Sequence, residues 1–134
     1  MWSPKGSNAV IHQGSDKLMS WRELLGISAK MAWREDPVSG PVSLNCLFLF
    51  QRPKTHYGTG KNSMTLKPSA PMSHIQKPDN DKLLRAVEDA LTGIVYIDDC
   101  QVDDAHSAKR WAELGEMPGA IVIINTEPEE GAAE

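Results

Sequence analysis

Four of the five aspartates in one short stretch, KPDNDKLLRAVEDALTGIVYIDDCQ from Lys77 to Gln101, fall in two pairs. They come as a pair at the mouth of an expected helix, Asp79 and Asp81, and a pair after that helix and a turn, Asp98 and Asp99. Carboxylates brought together repel one another and favour a cation between them. Hard oxygen ligands suit Mg²⁺ or Mn²⁺, and magnesium keeps several waters and adds substrate phosphate oxygens, so a few protein carboxylates suffice. Such an ion can polarise a scissile phosphate, activate a water and stabilise a leaving 3′ oxygen. Arg85, one helical turn beyond Asp81 and on its face, could neutralise charge on the phosphate. It cannot donate a proton, because guanidinium stays protonated.

The elements must deliver these groups. Two side chains two residues apart on a helix diverge by about 200°. Asp79 and Asp81 can therefore share an ion only if Asp79 stands in extended backbone outside the helix. Lys77 precedes a proline and is biased toward extended geometry, Asp79 reads as the N-cap, and Asp81 sits in the first turn. The spacing predicts a helix over 80–92, with Leu84, Val87 and Leu91 as its apolar stripe and Leu83 and Ala90 flanking it. Thr92-Gly93 closes that helix. Residues 94–97 then predict a short strand delivering Asp98 and Asp99, whose side chains diverge, so that one of them reaches the ion. The bland alternatives are an N-cap at Asp79, a surface pair Asp81–Arg85, a turn at Asp98-Asp99 and a solvated Asp89. An EF-hand calcium loop is excluded, since Leu83 and Leu84 stand where its pattern needs other residues. No room remains for the domain of a nucleotide-sugar transferase.

The rest of the chain reads as the mount. An N-cap at Ser15-Asp16 predicts a helix over 16–34, ended by Asp36-Pro37, with Trp21 and Trp33 as packing residues. Residues 42–50, VSLNCLFLF, alternate as a strand inside a sheet, with Cys46 buried and a helix over part of the second face. Residues 101–109 and 120–125 predict two more strands, the second nearly all apolar and hence central, joined by a loop or single helical turn over 111–118. Residues 1–15 read as irregular or as the end of a hairpin. A single domain over 1–126 follows, with an acidic flexible tail over 127–134.

The 134 residues are enough for one real core. No apolar run approaches the roughly 20 residues that span a bilayer. MWSPKGSNAV lacks the apolar region of a secretory signal, and the two cysteines, Cys46 and Cys100, fit a reducing cytoplasm. The net charge of −4 is unevenly spread: residues 1–78 carry ten Lys/Arg against four Asp/Glu, residues 79–134 four against fourteen. Residues 51–77 hold five Lys/Arg, two His and no acid. So long a basic connection suits a phosphodiester backbone, delivered to an acidic, metal-ready site. Arg52, Lys54, Lys61, Lys67, Lys77, Lys82, Lys109 and Arg110 are the candidate DNA contacts. His56 and His74 lack the spacing of metal ligands.

KPDNDKLLRAVEDALTGIVYIDDCQV strongly resembles the signature of RusA-like Holliday-junction resolvases: a D-x-D helix with a basic residue in its second turn, then D-A-L, then D-D-x-Q-V. The likeness continues to Lys109 and, more loosely, upstream through the strand of residues 40–50 and Arg52–Lys54. It implies an α/β (α+β) domain with a small mixed sheet and two main helices. It also implies a homodimeric, Mg²⁺-dependent endonuclease (Mn²⁺ substituting) that nicks four-way DNA junctions symmetrically, acts in the bacterial cytoplasm and is often encoded by phages or prophages. By position, the acidic site is Asp79, Asp81 and Asp99, with Asp98 adjacent, and the basic helix residue is Arg85. Three departures go with it. Arg85 stands for the lysine of the best-known resolvase, Lys82 stands for a common asparagine, and the extra first strand that family members carry is expected to be missing. The other readings are a relative that grips branched DNA without cutting, and a structural or partner-binding phage protein that keeps only the fold.

Overall fold

In a computed structural model the described residues are 8–9 and 21–126. Expectations about the rest of the first twenty residues, including the Ser15-Asp16 helix start, and about the 127–134 tail lie outside them. In chain order the elements are β1 (Asn8–Ala9), α1 (Trp21–Ala32), β2 (Val42–Phe50), α2 (Asn80–Leu91), β3 (Val102–Trp111) and β4 (Gly119–Thr126). Single 3-10 turns occupy Lys54–His56, Gly60–Asn62 and Asp99–Gln101. The sheet runs β1-β4-β2-β3, with β2 parallel to β3 and antiparallel to β4, and β1 antiparallel to β4. It is a mixed sheet with two helices, an α+β fold as the sequence implies.

β2 is interior because its alternation supplies two usable faces. Val42, Leu44, Cys46 and Phe48 are buried and meet Ala120, Val122 and Ile124 of β4 in one core. α1 contributes Leu25, Ala29 and Trp33 to that core, and α2 contributes Leu83, Val87 and Leu91. Both helices thus cover the same face of the sheet. Burying side chains of this size is worth about 1.5–3 kcal/mol each, which fixes α2 against the sheet and with it the direction of everything at its N-terminus. On the opposite face Asn45 is exposed, Leu47 half-buried and Leu49 buried; among the described residues both helices pack on the first face, so no helix covers part of the second.

Three boundaries differ from the sequence reading. The buried stripe of α2 centres on Leu83, Ala86, Val87 and Leu91, with Leu84 half-buried, and the helix packs against both α1 and β3. Residues 94–97 form a turn instead of a strand. Gly93 takes φ 85, its N–H donates to the Tyr96 carbonyl at 2.7 Å, and so tight a loop leaves room only for single bridges, Val38 with Tyr96 and Thr92 with Tyr96. Asn8 and Ala9 pair with Ile123 and Val122 of β4; β4 is accordingly flanked on both sides, as its apolar sequence suggests. Among the described residues no helix is long and apolar enough to cross a membrane.

Candidate functional site

α2 begins as the aspartate spacing requires. Asp79 holds the N-cap position in extended backbone, φ −79 and ψ 157, and its side chain makes no capping hydrogen bond. Only its carbonyl joins the helix, accepting from Leu83 N–H at 3.2 Å. The bland N-cap reading of its side chain therefore fails. Its carboxylate lies 3.9 Å from Lys82 Nζ, and both side chains are largely exposed, a pair worth well under about 1 kcal/mol. Asp81 follows in the first turn, exposed, where the positive helix end favours a carboxylate. Arg85 is exposed as well.

The N-terminus of α2 is gripped by β3. Asn80 Nδ2 donates to the Ser107 carbonyl at 3.0 Å, and Ser107 Oγ donates to Asn80 Oδ1 at 2.7 Å. Lys109 Nζ donates to the Gln76 carbonyl and, at 2.9 Å, to the Pro78 carbonyl.

The second aspartate pair divides its duties. Asp98 caps the 3-10 turn, accepting from Cys100 N–H at 2.9 Å, and this bond holds its carboxyl below the usual carboxylate range. Gln101 completes a capping box, its Oε1 accepting from Ile97 and Asp98 N–H at 2.9 Å each. Its Nε2 donates to the Val38 and Gly40 carbonyls at 2.9 Å each. One amide thus ties the acidic turn to the chain entering β2. Asp99, the first residue of the turn, is exposed. Cys100 is exposed, and the hydrogen bond and charge of Asp98 push its thiol up.

Asp99 lies within electrostatic reach of Glu88, whose carboxyl is pushed up first by burial and then by Asp99, with Arg85 pulling the other way. Asp81, Arg85 and Glu88 are spaced to share one face of α2, and Asp99 acts on Glu88 from outside the helix. Burial, then Glu88, pushes the Cys46 thiol up to about 12, which leaves it inert. Among the described residues no three carboxylates, imidazoles or thiols converge into a closed metal cage. Magnesium does not ask for one, since it takes one or two carboxylates and fills the rest of its octahedron with water and phosphate oxygens. Exposed carboxylates at a helix N-terminus fit that donor chemistry.

The eight candidate DNA-binding cations separate into two groups. Lys54, Lys61, Lys67, Lys77 and Lys82 are exposed. The other three are turned to protein partners. Arg52 is buried, with Nη1 donating to the Pro71 carbonyl at 2.7 Å and lying 3.2 Å from His56 Nδ1, and its guanidinium sits 5.4 Å from the Trp111 ring. Arg110 grips both Glu116 oxygens, at 2.7 and 2.8 Å, and holds the Glu116 carboxyl down to about 2. Lys109 is the clamp described above.

Around Trp111 the 51–76 connection is folded onto β3. His74 stacks on Phe50 at 4.2 Å and lies 4.5 Å from Trp111, while His56 meets Trp111 edge-on at 5.0 Å. Trp111 Nε1 donates to the Ser73 carbonyl at 3.1 Å. His74 is 6% exposed and its Nδ1 has no hydrogen-bond partner. Burial first, then the Lys109 charge, pulls the His74 imidazole below its ordinary value. Both histidines are packing residues here. A cleft of about 700 Å³ opens beside this cluster, between Arg52, Tyr57, Met72 and Leu114, and none of the aspartates lines it.

Sequence reasoning did not single out Asn80, Ser107 or Glu88. The first two are polar residues in an amphipathic run and an alternating strand, and nothing local marks them as partners. Glu88 sits where a helix of this pattern presents its half-buried flank.

With this geometry in place, the comparison with known families is direct. Residues 3–125 match the model of the endodeoxyribonuclease RusA family. The chain belongs to the RusA family, whose members are endodeoxyribonucleases. It is also 29% identical over 116 residues to uncharacterized protein YqaN of Bacillus subtilis (strain 168), an alignment covering 82% of this chain and 79% of that protein.

Proposed function

We propose that the chain is a Mg²⁺-dependent, structure-selective endonuclease that resolves four-way DNA junctions by paired, symmetric nicks as a homodimer. The observation that carries the reading is the state of Asp79: it occupies the N-cap position of α2 without capping it, in a chain matching the RusA family over residues 3–125. A carboxylate spared from the helix end, two residues before the first-turn Asp81, is available to an ion. Asp79, Asp81 and Asp99 would hold that ion, with Asp98 beside them. When bound, it supplies Lewis-acid charge at the scissile phosphate and lowers the pKa of a water.

Around it, the chain's own groups do the positioning. Arg85, exposed on the face of Asp81, offsets phosphate charge without giving up a proton. The exposed Lys54, Lys61, Lys67, Lys77 and Lys82 offer the backbone contacts that dominate affinity for DNA and make it salt-dependent. A junction presents two equivalent strands, and a two-fold dimer presents two equivalent sites. The test is incubation of folded protein with an end-labelled four-way junction and Mg²⁺ or Mn²⁺. Paired nicks at symmetric positions with 5′-phosphate ends are expected, and Asp81→Asn should lower the rate by a factor on the order of 10² or more. An intact junction with the wild-type protein would overturn the proposal.

A further inference from the structure

We infer that Lys109 is a positioning residue of the acidic site: by tying the chain on the N-terminal side of Asp79 to β3, it sets the direction in which Asp79 and Asp81 present their carboxylates. The inference rests on the metal-dependent reading given above and concerns a cation that sequence alone assigns to DNA.

Asp79 and Asp81 are both exposed, so packing does not orient them. The Asp79 side chain makes no capping bond to the helix it precedes, and its exposed ion pair with Lys82 at 3.9 Å is too weak to orient it. What remains is the backbone on each side of Asp79, and β3 holds both sides. Before it, Lys109 Nζ donates to the carbonyls of Gln76 and Pro78; the Pro78 carbonyl belongs to the peptide that ends at Asp79 N. After it, the side chain of Asn80 is held by two hydrogen bonds to Ser107. Ser107 and Lys109 are two apart on one strand, opposite Cys46 and Phe48 of β2, so both point to the helix side of the sheet. Aligned in this way, they meet residues 78 and 80 and leave Asp79 between two fixed points.

The chemistry of the side chain suits the task. An ammonium offers three rotatable donors and no acceptor, so it can serve two carbonyls that converge from different directions. Bonds from a charged donor to a carbonyl are stronger than neutral ones. Groups that orient metal ligands typically change metal affinity by 10–100-fold when removed. A lysine contacting a phosphate instead would leave metal affinity alone and add about one unit to the salt slope of DNA binding.

The experiment compares wild type with Lys109→Met in two titrations. The first follows Mn²⁺ alone, without DNA, by water-proton relaxation. The second follows a four-way junction in EDTA over a range of salt. The inference expects Mn²⁺ affinity to fall about tenfold while junction affinity and its salt slope stay within error. A wild-type Mn²⁺ affinity in Lys109→Met overturns it, and a salt slope reduced by about one then assigns Lys109 to a phosphate. If Lys109→Met does not fold, Lys109→Gln, which keeps an amide donor for one carbonyl, is read by the same two titrations and the same criteria. Absence of Mn²⁺ binding by the wild-type protein sinks the metal reading itself and the inference with it, whereas equal binding by wild type and variant sinks the inference alone.

Discussion

Asn80 and Ser107 hold each other by two hydrogen bonds, Asn80 Nδ2 to the Ser107 carbonyl at 3.0 Å and Ser107 Oγ to Asn80 Oδ1 at 2.7 Å. Both residues are half-buried, and Asn80 is the first residue of α2, between the two aspartates that open the acidic stretch. A neutral, reciprocal pair adds no charge to a site already rich in carboxylates. It fixes the start of the helix to the sheet without drawing an aspartate into structural service.

Asn80→Ala should therefore cost stability out of proportion to its partial exposure. The change leaves the Ser107 hydroxyl and carbonyl without their partner, a loss of about 1–2 kcal/mol. Urea denaturation reads it as a lowered midpoint with unchanged slope. A midpoint equal to wild type would mean that the pair is not formed in solution.

The split between Asp98 and Asp99 gives opposite phenotypes to neighbouring substitutions. Asp98→Ala removes the acceptor of the Cys100 N–H and should lower the melting temperature. The Asp98 carboxyl is held below its ordinary value of 3.8 by that N–H, so its contribution is complete above about that pH and is lost as pH falls through the lower folded value. The difference in melting temperature between wild type and Asp98→Ala should accordingly shrink in strong acid. Asp99→Asn should leave the melting temperature nearly unchanged, within the roughly ±0.5 kcal/mol usual for an exposed site, and should abolish junction cleavage. Cleavage intact in Asp99→Asn, or melting unaffected in Asp98→Ala, would reverse the assignment.

What the sequence made legible follows from how local each signal is. α2, β2 and β4 were readable because their periodicity is written in consecutive residues, and the extended backbone of Asp79 because Lys77-Pro78 and the D-x-D spacing constrain it. Residues 94–97 read as a strand and fold as a turn because a four-residue apolar run looks the same in either until Gly93, with φ 85, closes the loop. Partners far apart in the chain left no trace: Lys109 with Gln76, Arg52 with Pro71, Gln101 with Val38. Each is a side chain meeting a backbone carbonyl, and a carbonyl has no sequence signature. This is why two cations that read as DNA contacts, Arg52 and Lys109, are held by backbone carbonyls, whereas Arg110 pairs with the Glu116 side chain six residues on.

Those three and the exposed lysines should separate in a salt-dependence series. Alanine at Lys54, Lys61, Lys67 or Lys77 should each reduce the slope of junction affinity against salt by about one where the lysine meets a phosphate, with stability unchanged. Arg52→Ala should instead unseat the connection from β3. It removes the donor to Pro71 and the cation over Trp111, together about 2 kcal/mol, and the loss should appear as faster amide hydrogen exchange across residues 52–74. A stable Arg52→Ala with a reduced salt slope would return Arg52 to the DNA-contacting group.

The stack of Phe50, His74 and Trp111 ties the same connection to pH. The His74 imidazole is buried with Nδ1 unpartnered, and burial together with Lys109 lowers its folded pKa below the ordinary 6.5. Above about pH 6.5 both folded and unfolded chains hold it neutral, and it makes no pH-dependent contribution. As pH falls through 6.5 the unfolded chain takes up the proton and the folded chain does not, so stability drops until the lower folded pKa is passed. His74→Phe keeps a flat ring between Phe50 and Trp111 and cannot titrate. Its melting temperature should fall less than that of wild type between pH 8 and pH 5, with His56 present in both as the internal control. Equal slopes for the two proteins would show that the imidazole is already solvated and that the connection is not seated on β3 by this stack.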